Sequence, residues 1–231
     1  MELMEIPDPV ECQVVSRVNR FVVEVKMNRK LQKAYINNTG RLEGYLAKGK
    51  RGYCLWKEGG KTEYRLFAVR DGRYAAIIDT QIHMKAFETA LEGGMIPWLS
   101  GCRILKRNVR LNNSLIDYLI GADGELYLEV KSAVLKRNRM ALYPDSPSLR
   151  GRRHLEEILN HVRAGGKGAI LFIAAVPHIK AFKPNRRADR IISGLIKKGK
   201  EYGVIIKSIA IYYSPIDNLI YLQNPDLETK V

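Results

Sequence analysis

Short runs in the first third of the chain alternate hydrophobic and polar residues, and none of them keeps the 3.6-residue spacing of a helix. This alternation predicts strands, because successive side chains of a strand point to opposite faces of the sheet. Turn-forming residues separate the runs. The predicted strands cover 21–27, 33–37, 52–56, 64–69 and 74–78. Short strands at this spacing favour a small closed barrel of the OB type.

The pattern changes after about residue 83, where longer elements begin. A continuous apolar run at 169–176 indicates a strand that is covered on both faces. A turn at Ala122-Asp123-Gly124 joins two further strands into a hairpin. The predicted order is a helix at 84–91, strands at 104–110, 114–120 and 126–131, a helix at 152–163, the strand at 169–176, a helix at 188–202 and a strand at 204–213. This order predicts a mixed sheet with helices on its faces.

We therefore expect an α+β protein of two domains, with an all-β OB-like domain at 1–82 and an α/β domain at 83–231. No apolar stretch approaches eighteen residues, and the start lacks the basic and apolar regions of a signal peptide. Three widely spaced cysteines argue against a disulfide framework or a zinc site. Together these features predict a cytoplasmic protein with no membrane partner.

Charge is the most informative part of the composition. The chain holds 39 Lys and Arg against 24 Asp and Glu, a net charge of +15. Such a surplus repels itself and commonly serves a polyanion such as nucleic acid. Two alternatives stay open on charge alone: an anionic membrane face, and a soluble protein that is simply basic.

Two acids and a lysine form the sharpest chemical pattern. Glu129 and Lys131 lie two apart on a predicted strand, so their side chains leave the same face. Asp117 lies on the preceding strand of the same hairpin, where pairing can bring its carboxylate near Glu129. Hard oxygen ligands of this kind hold Mg²⁺ or Mn²⁺ and suit hydrolysis of a phosphodiester. The alternative is an ordinary solvated strand face, because an acid-x-lysine pattern is short.

A third acid for this site could come from the helix that precedes the hairpin. Glu88 and Glu92 are four residues apart and share one helical face. Either carboxylate could complete the metal shell, and an exposed helix acid is the alternative for each.

Basic residues in three places are the candidate DNA contacts. One group opens a predicted helix, where backbone N–H groups and cations together suit phosphate. A second lies in a predicted loop, and a third lies near Tyr45, Tyr53 and Trp56 in the OB-like half, where aromatics can stack on bases or pack in the core. The groups are Arg150, Arg152, Arg153 and His154; Lys136, Arg137 and Arg139; and Arg41, Lys50 and Arg51.

Eight segments spread along nearly the whole chain carry a family resemblance. They are 20–28, Asn37-Asn38-Thr39-Gly40-Arg41, 61–65, 78–81, 117–121, Tyr127-Leu128-Glu129-Val130-Lys131-Ser132, Tyr143-Pro144-Asp145-Ser146-Pro147 and Arg150-Gly151-Arg152-Arg153-His154-Leu155. In these segments the chain resembles the sugar fermentation stimulation protein A family of bacteria and archaea. The resemblance implies an OB-like domain followed by a restriction-endonuclease-like domain, nonspecific DNA binding and a link to sugar metabolism.

Within that resemblance, the PD-(D/E)xK nucleases supply the mechanistic analogy. Asp117 and Glu129 match the metal-binding acids and Lys131 matches the lysine, while Ile116 replaces the proline usual before the first acid. The expected ligands of Mg²⁺ or Mn²⁺ are thus Asp117, Glu129 and the Val130 carbonyl, with no organic cofactor. The expected function is nonspecific DNA binding with a metal-dependent nuclease centre. The rivals are a noncatalytic DNA-binding regulator and an RNA-binding protein, and the oligomeric state, including a homodimer, stays open.

Overall fold

The computed structural model describes residues 1–42, 44–122 and 124–231. Its helices are α1 (Thr80–Glu92), α2 (Leu149–Arg163) and α3 (Arg190–Glu201), with a 3₁₀ turn at Pro97–Leu99. Its strands are β1 (Glu2–Glu5), β2 (Val10–Arg17), β3 (Val22–Met27), β4 (Lys30–Tyr35), β5 (Arg51–Trp56), β6 (Tyr64–Asp71), β7 (Tyr74–Ile77), β8 (Arg103–Leu111), β9 (Ser114–Ala122), β10 (Gly124–Ser132), β11 (Leu135–Arg137), β12 (Met140–Tyr143), β13 (Gly168–Ala174), β14 (Ala181–Pro184), β15 (Ile205–Ser214), β16 (Leu219–Asn224) and β17 (Glu228–Thr229).

A closed five-stranded barrel forms the N-terminal half, as the sequence predicts. Its strands follow the order β4-β3-β2-β5-β6, and parallel pairing of β4 with β6 at Ala34 and Tyr64 closes it. One predicted barrel strand is wrong, because β7 leaves the barrel and β2 takes its place. The alternation that would reveal β2 is interrupted by a register shift between Val14 and Ser16. β7 instead pairs with β6 and meets β15 at Ala75 and Tyr213, which joins the two halves.

The C-terminal half is the predicted α/β arrangement with a mixed sheet. Its central order is β15-β13-β10-β9-β8, in which β13 runs parallel to β10 and β15. Every residue of β13 is buried, as its apolar run predicts. β16 and the first strand of the chain, β1, extend this sheet beyond β15. The boundary at 82/83 stays a prediction.

Capping residues place the helix starts earlier than the apolar pattern does. Asp79 accepts hydrogen bonds from the N–H groups of Gln81 and Ile82, so α1 begins at Thr80. The Ser148 hydroxyl accepts from Gly151 N–H and starts α2 at Leu149. Side-chain oxygens at this position satisfy N–H groups that have no partner within the helix.

A second, small sheet with the order β11-β12-β14-β17 lies beside the main one. It corrects the loop predicted around Lys136, because Leu135–Arg137 and Met140–Tyr143 form a hairpin. The predicted turn at Asp123 lies outside the described residues. In the described part of the chain, no helix is long and apolar enough to cross a membrane.

Candidate active site

The two predicted metal-binding acids meet where β9 and β10 separate. The antiparallel ladder between these strands ends at Tyr118 and Leu128, one residue short of the acids. Beyond that pair of residues, hydrogen bonds to side-chain carboxylates replace the backbone hydrogen bonds between β9 and β10. The Asp117 N–H donates to Glu129 Oε2 at 3.3 Å, and the Val130 N–H donates to Asp117 Oδ2 at 2.8 Å. Each carboxylate therefore accepts a hydrogen bond from the backbone of the strand that carries the other acid, and this exchange holds the two carboxylates side by side.

Glu129 is fixed by a lysine and a histidine. Lys131 Nζ and His154 Nδ1 both lie 2.5 Å from Glu129 Oε1. Arg150 Nε donates to His154 Nε2 at 3.3 Å. Because Nε2 accepts, the imidazole proton is assigned to Nδ1, from which it is donated to Glu129. A chain of contacts thus runs from the start of α2 to the acid, which is only 2% exposed.

Burial and neighbouring charges shift the pKa values of the two acids in opposite directions. Burial raises the pKa of Asp117 to about 6, helped by the negative charge of Glu129 and opposed by Lys131. Burial also acts to raise the pKa of Glu129, but the charge of Lys131 and the hydrogen bond from His154 outweigh it and leave that pKa lowered. Burial acts to lower the pKa of Lys131, and the charge of Glu129 overcomes it, so this pKa is raised. Lys131 is therefore an ammonium ion.

The donors present suit a magnesium-like cation. Mg²⁺ commonly takes one or two carboxylates and completes its shell with water and substrate phosphate. The N–H and C=O of one strand residue point to the same side, so the Val130 carbonyl faces the gap that its N–H bridges to Asp117. Asp117, Glu129 and this carbonyl are the predicted oxygen ligands. In residues 1–42, 44–122 and 124–231, no group of three or more His, Cys, Asp or Glu is arranged to hold a metal ion by itself.

A cleft of about 610 Å³ lies over the acids, and both halves of the chain line it. We call it the acid cleft. From the OB half come Arg20 and the segment from Asn37 to Gly40. The Leu42 N–H donates to Asp145 Oδ2 at 3.0 Å and anchors this segment to the wall opposite. The barrel therefore forms one side of the candidate active site.

The comparisons with known proteins agree with this architecture. Residues 15–78 match the family model described as the SfsA N-terminal OB domain, and residues 81–216 match the sugar fermentation stimulation protein RE domain. This chain belongs to the sugar fermentation stimulation protein family. The homolog from Archaeoglobus fulgidus is 45% identical over 232 residues, covering 100% of both chains. The homolog from Pyrococcus furiosus is 42% identical over 222 residues, covering 96% of each.

A solved structure shows the same fold over the whole length. It is described as Pyrococcus furiosus SfsA in complex with Ca²⁺. Its TM-score is 0.96 at 40% identity, and the match covers 100% of each chain. The OB barrel and the mixed sheet seen here are thus those of the sugar fermentation stimulation family.

The two candidate third acids lie in different surroundings. Glu88 accepts from Arg107 at 2.8 and 3.0 Å and from the Tyr118 hydroxyl at 2.9 Å. It lines a second cavity of about 480 Å³, which also touches Asp117. Glu92 lies one helical turn further on and is exposed. The structure thus brings Glu88 toward the acid pair and leaves Glu92 outside both cavities.

Among the predicted DNA contacts of the C-terminal half, only Arg150 lines the acid cleft. Arg152 is bound to Asp189 at 3.0 Å, and Arg153 is exposed outside the cleft. The structure corrects the DNA contact predicted for His154, because this side chain is buried against Glu129 and holds it. Lys136 pairs with Asp71 at 2.8 Å. Arg137 and Arg139 are exposed at the β11–β12 turn.

The basic residues predicted to contact DNA in the OB half lie on the surface. Arg41, Lys50 and Arg51 are exposed, and Arg51 pairs with Glu11 at 3.2 Å. Tyr45 and Tyr53 are buried, which confirms the core alternative for these two. Trp56 is 65% exposed. DNA contact by this surface stays a prediction.

Sequence reasoning missed the contribution of the OB half to the acid cleft. Arg20, Asn37 and Asn38 line the cleft, although the pattern places Asn37 at the end of a predicted strand and Asn38 in the turn that follows. The Asn38 amide donates to Ser132 Oγ at 3.4 Å, next to Lys131. Such contacts join residues 94 positions apart, so no local pattern in the sequence could reveal them.

Proposed function

We propose that this protein binds DNA without sequence preference and cleaves it with a Mg²⁺- or Mn²⁺-dependent phosphodiesterase centre. The observation that carries the proposal is the convergence of Asp117, Glu129 and Lys131 at the floor of a cleft. The carboxylates provide oxygen ligands and the ammonium provides a fixed positive charge. This combination is suited to a phosphate group that gains negative charge during hydrolysis.

Each residue has a distinct role in the proposed reaction. Asp117, Glu129 and the Val130 carbonyl hold the cation, which when bound lowers the pKa of water and stabilises negative charge on phosphate. Lys131 is charged and therefore donates hydrogen bonds to the attacking water or to a phosphate oxygen. His154 and Arg150 position Glu129 from behind. Arg150 also lines the acid cleft, where its charge favours the substrate.

The relative from Pyrococcus furiosus supports a hard cation in this family. That protein is described in complex with Ca²⁺, which prefers oxygen ligands as Mg²⁺ does. The charge of +15 supports a polyanionic partner.

A cleavage assay tests the proposal. Purified protein is incubated with plasmid and with labelled single-stranded DNA in Mg²⁺, Mn²⁺ or chelator. Cleavage is expected only with the metals, and Lys131→Ala should abolish it while Glu92→Gln cuts like the parent protein. Thermal unfolding of Lys131→Ala shows whether the variant is folded. Parent protein that leaves every DNA form intact in both metals would contradict the nuclease.

One observation favours a noncatalytic DNA-binding regulator of sugar metabolism as a second candidate. Both oxygens of Glu129 already accept hydrogen bonds from within the protein, so the acid–lysine cluster also serves to hold β9, β10 and α2 together. This candidate predicts DNA binding that is equal in metal and in chelator, without cleavage. Competition with RNA of matched length tests the substrate class, and tighter binding of RNA would contradict DNA as the partner. The cytoplasmic location stays a prediction.

A further inference from the structure

A further concavity, lined by positive charge, lies beside the acid cleft on the small sheet. It is bounded by the β11–β12 turn and by the segment that follows β14, and its volume is about 480 Å³. We call it the basic groove. Its lining residues are Arg137, Asn138, Met140, Leu142, Lys183, Pro184, Asn185, Arg186, Arg187 and Arg190.

Five cationic side chains and no acidic one line the basic groove. All five are exposed, and within the described residues no side-chain hydrogen bond or ion pair occupies any of them. Nearby cations differ, since Arg152 is paired with Asp189 and Lys136 with Asp71. Unpaired like charges repel one another, and a bound polyanion relieves that repulsion.

One of these cations occupies a position that is unfavourable for the fold. Arg190 is the first residue of α3, where the helix dipole disfavours positive charge. The basic side chains of the last turn, Lys198 and Lys200, lie at the favourable end. The charge at Arg190 is thus explained better by a ligand than by helix stability.

The groove is connected rigidly to the acid cleft. Leu142 lines both concavities. In the parallel pairing of β12 with β14, it lies opposite Lys183 of the groove. The buried Asn185 donates its side-chain amide to the Pro144 carbonyl at 2.8 Å, and Pro144 lines the acid cleft. A strand that leaves the acid pair over Leu142 therefore enters the groove directly.

The cavity on the other side of Asp117 offers no comparable charge. Its single arginine, Arg107, is held by both oxygens of Glu88. Asp117 adds a further acid there. Among the described residues that line these two cavities, unpaired cations therefore occur in the basic groove and not beside Glu88.

We propose that the basic groove binds the phosphodiester backbone of the DNA strand on one side of the phosphate held at Asp117 and Glu129. This inference rests on the proposed function and adds where the rest of the strand lies. Cations at an exposed groove hold phosphates without reading the bases, which agrees with nonspecific binding. The apolar floor, formed by Met140, Leu142 and Pro184, faces the sugars and bases.

A binding experiment with matched charge variants tests the groove. The probe is a fluorescent 20-nucleotide single strand of mixed sequence, titrated in Ca²⁺ at several salt concentrations. Arg187→Gln/Arg190→Gln should raise the Kd at least tenfold and lower the salt slope by about 1.4, at about 0.7 per lost phosphate contact. Lys197→Gln/Lys200→Gln removes the same charge from the exposed surface of α3 and should change the Kd less than threefold. Equal effects of the two pairs, or no effect of either, would overturn the groove.

Cleavage of the same strand separates this inference from the nuclease proposal. In Mn²⁺ the groove variant should show a raised KM and an unchanged kcat, because the acid pair is intact. If the parent protein binds but does not cut, the nuclease fails while the Kd values still decide the groove. If the parent protein cuts and the groove variant matches it in both KM and Kd, only the groove fails.

Discussion

The acid cleft and the basic groove are adjacent, but their charged side chains differ in burial and in pairing. In the cleft, Glu129 is buried and its charge is compensated within the protein by Lys131 and His154, while the half-buried Asp117 accepts a hydrogen bond from the Val130 N–H. In the groove, cations are exposed and uncompensated. Buried, fixed charges suit chemistry on one phosphate, because they need no rearrangement during reaction. Exposed, mobile charges suit affinity for a long polyanion. We therefore expect the acid cleft to set the cleavage rate and the basic groove to set the affinity for DNA.

The largest effect is expected from a substitution that disrupts the acid cleft and leaves the basic groove intact. Asp117→Asn should lower the cleavage rate about a thousandfold, because a charged oxygen ligand is lost where negative charge develops. Binding of the 20-nucleotide strand should stay within threefold, since the groove is untouched. Single-turnover cleavage and fluorescence anisotropy measure the two quantities. Asp226→Asn, on an acid that pairs with Lys207, is the control and should leave both unchanged.

The next effect concerns His83, a buried histidine that lines the second cavity beside Glu88. His83 is buried and donates from Nε2 to the Ile77 carbonyl, and burial lowers its pKa to about 4. Its pKa in the unfolded chain is near 6.5, so at lower pH the unfolded state binds a proton that the folded state does not. Stability should therefore be intact above pH 6.5 and fall by about 3 kcal/mol as the pH drops to 4.

Urea unfolding across this pH range measures the loss. His83→Gln should remove most of this pH dependence. His178→Asn changes an exposed histidine and should preserve it. If the free energy of unfolding falls equally steeply with pH in His83→Gln, groups other than His83 cause the loss of stability.

A smaller effect concerns the support behind Glu129. His154→Gln should weaken Mn²⁺ binding about 10–100-fold, the range found when groups that orient metal ligands are removed. The readout is the Mn²⁺ concentration that gives half-maximal cleavage. His161→Gln, on the same helix but against Tyr127, is the matched control. An unchanged Mn²⁺ requirement would mean that His154 only fills space.

The smallest effect concerns the groove in the absence of DNA. Arg187→Gln/Arg190→Gln should raise the Tm by about 1–3 °C at low salt, because like-charge repulsion is worth about 1 kcal/mol or less at an exposed surface. The gain should vanish in 0.5 M salt, which screens these charges. Lys197→Gln/Lys200→Gln should not raise the Tm, since positive charge favours the end of α3. A gain that persists at high salt would point to packing instead.

The acid pair could be predicted from the sequence because its geometry is local. Asp117 and Glu129 flank one hairpin, and antiparallel pairing with a period of two places them together. The starts of α1 and α2 lie earlier than the apolar pattern predicts, because Asp79 and Ser148 cap these helices ahead of their first apolar residues. The first barrel strand, β2, could not be found, because a register shift interrupts its pattern.

The groove and the barrel wall of the cleft are not local. The groove joins Arg137 of the β11–β12 hairpin to Arg190 of α3, and parallel pairing of β12 with β14 brings them together. The sequence predicts a loop around Lys136, because the strand there is only three residues long and charged and turn-forming residues surround it. Asn38-Thr39-Gly40 reads as a turn after a strand that ends at Asn37, and the tertiary contacts of Asn38 with Ser132 and of Leu42 with Asp145 bring this segment to the acids. Tertiary pairing decides such features, and composition alone does not reveal them.

Anomalous diffraction from crystals soaked in Mn²⁺ tests most directly whether Asp117 and Glu129 form a metal centre. A peak is expected between the two carboxylates, within coordinating distance of the Val130 carbonyl. Asp117→Asn crystals treated in the same way should show a weaker peak or none. Well-diffracting crystals of the parent protein with no peak at this position, or with Mn²⁺ bound only elsewhere, would contradict the proposed centre.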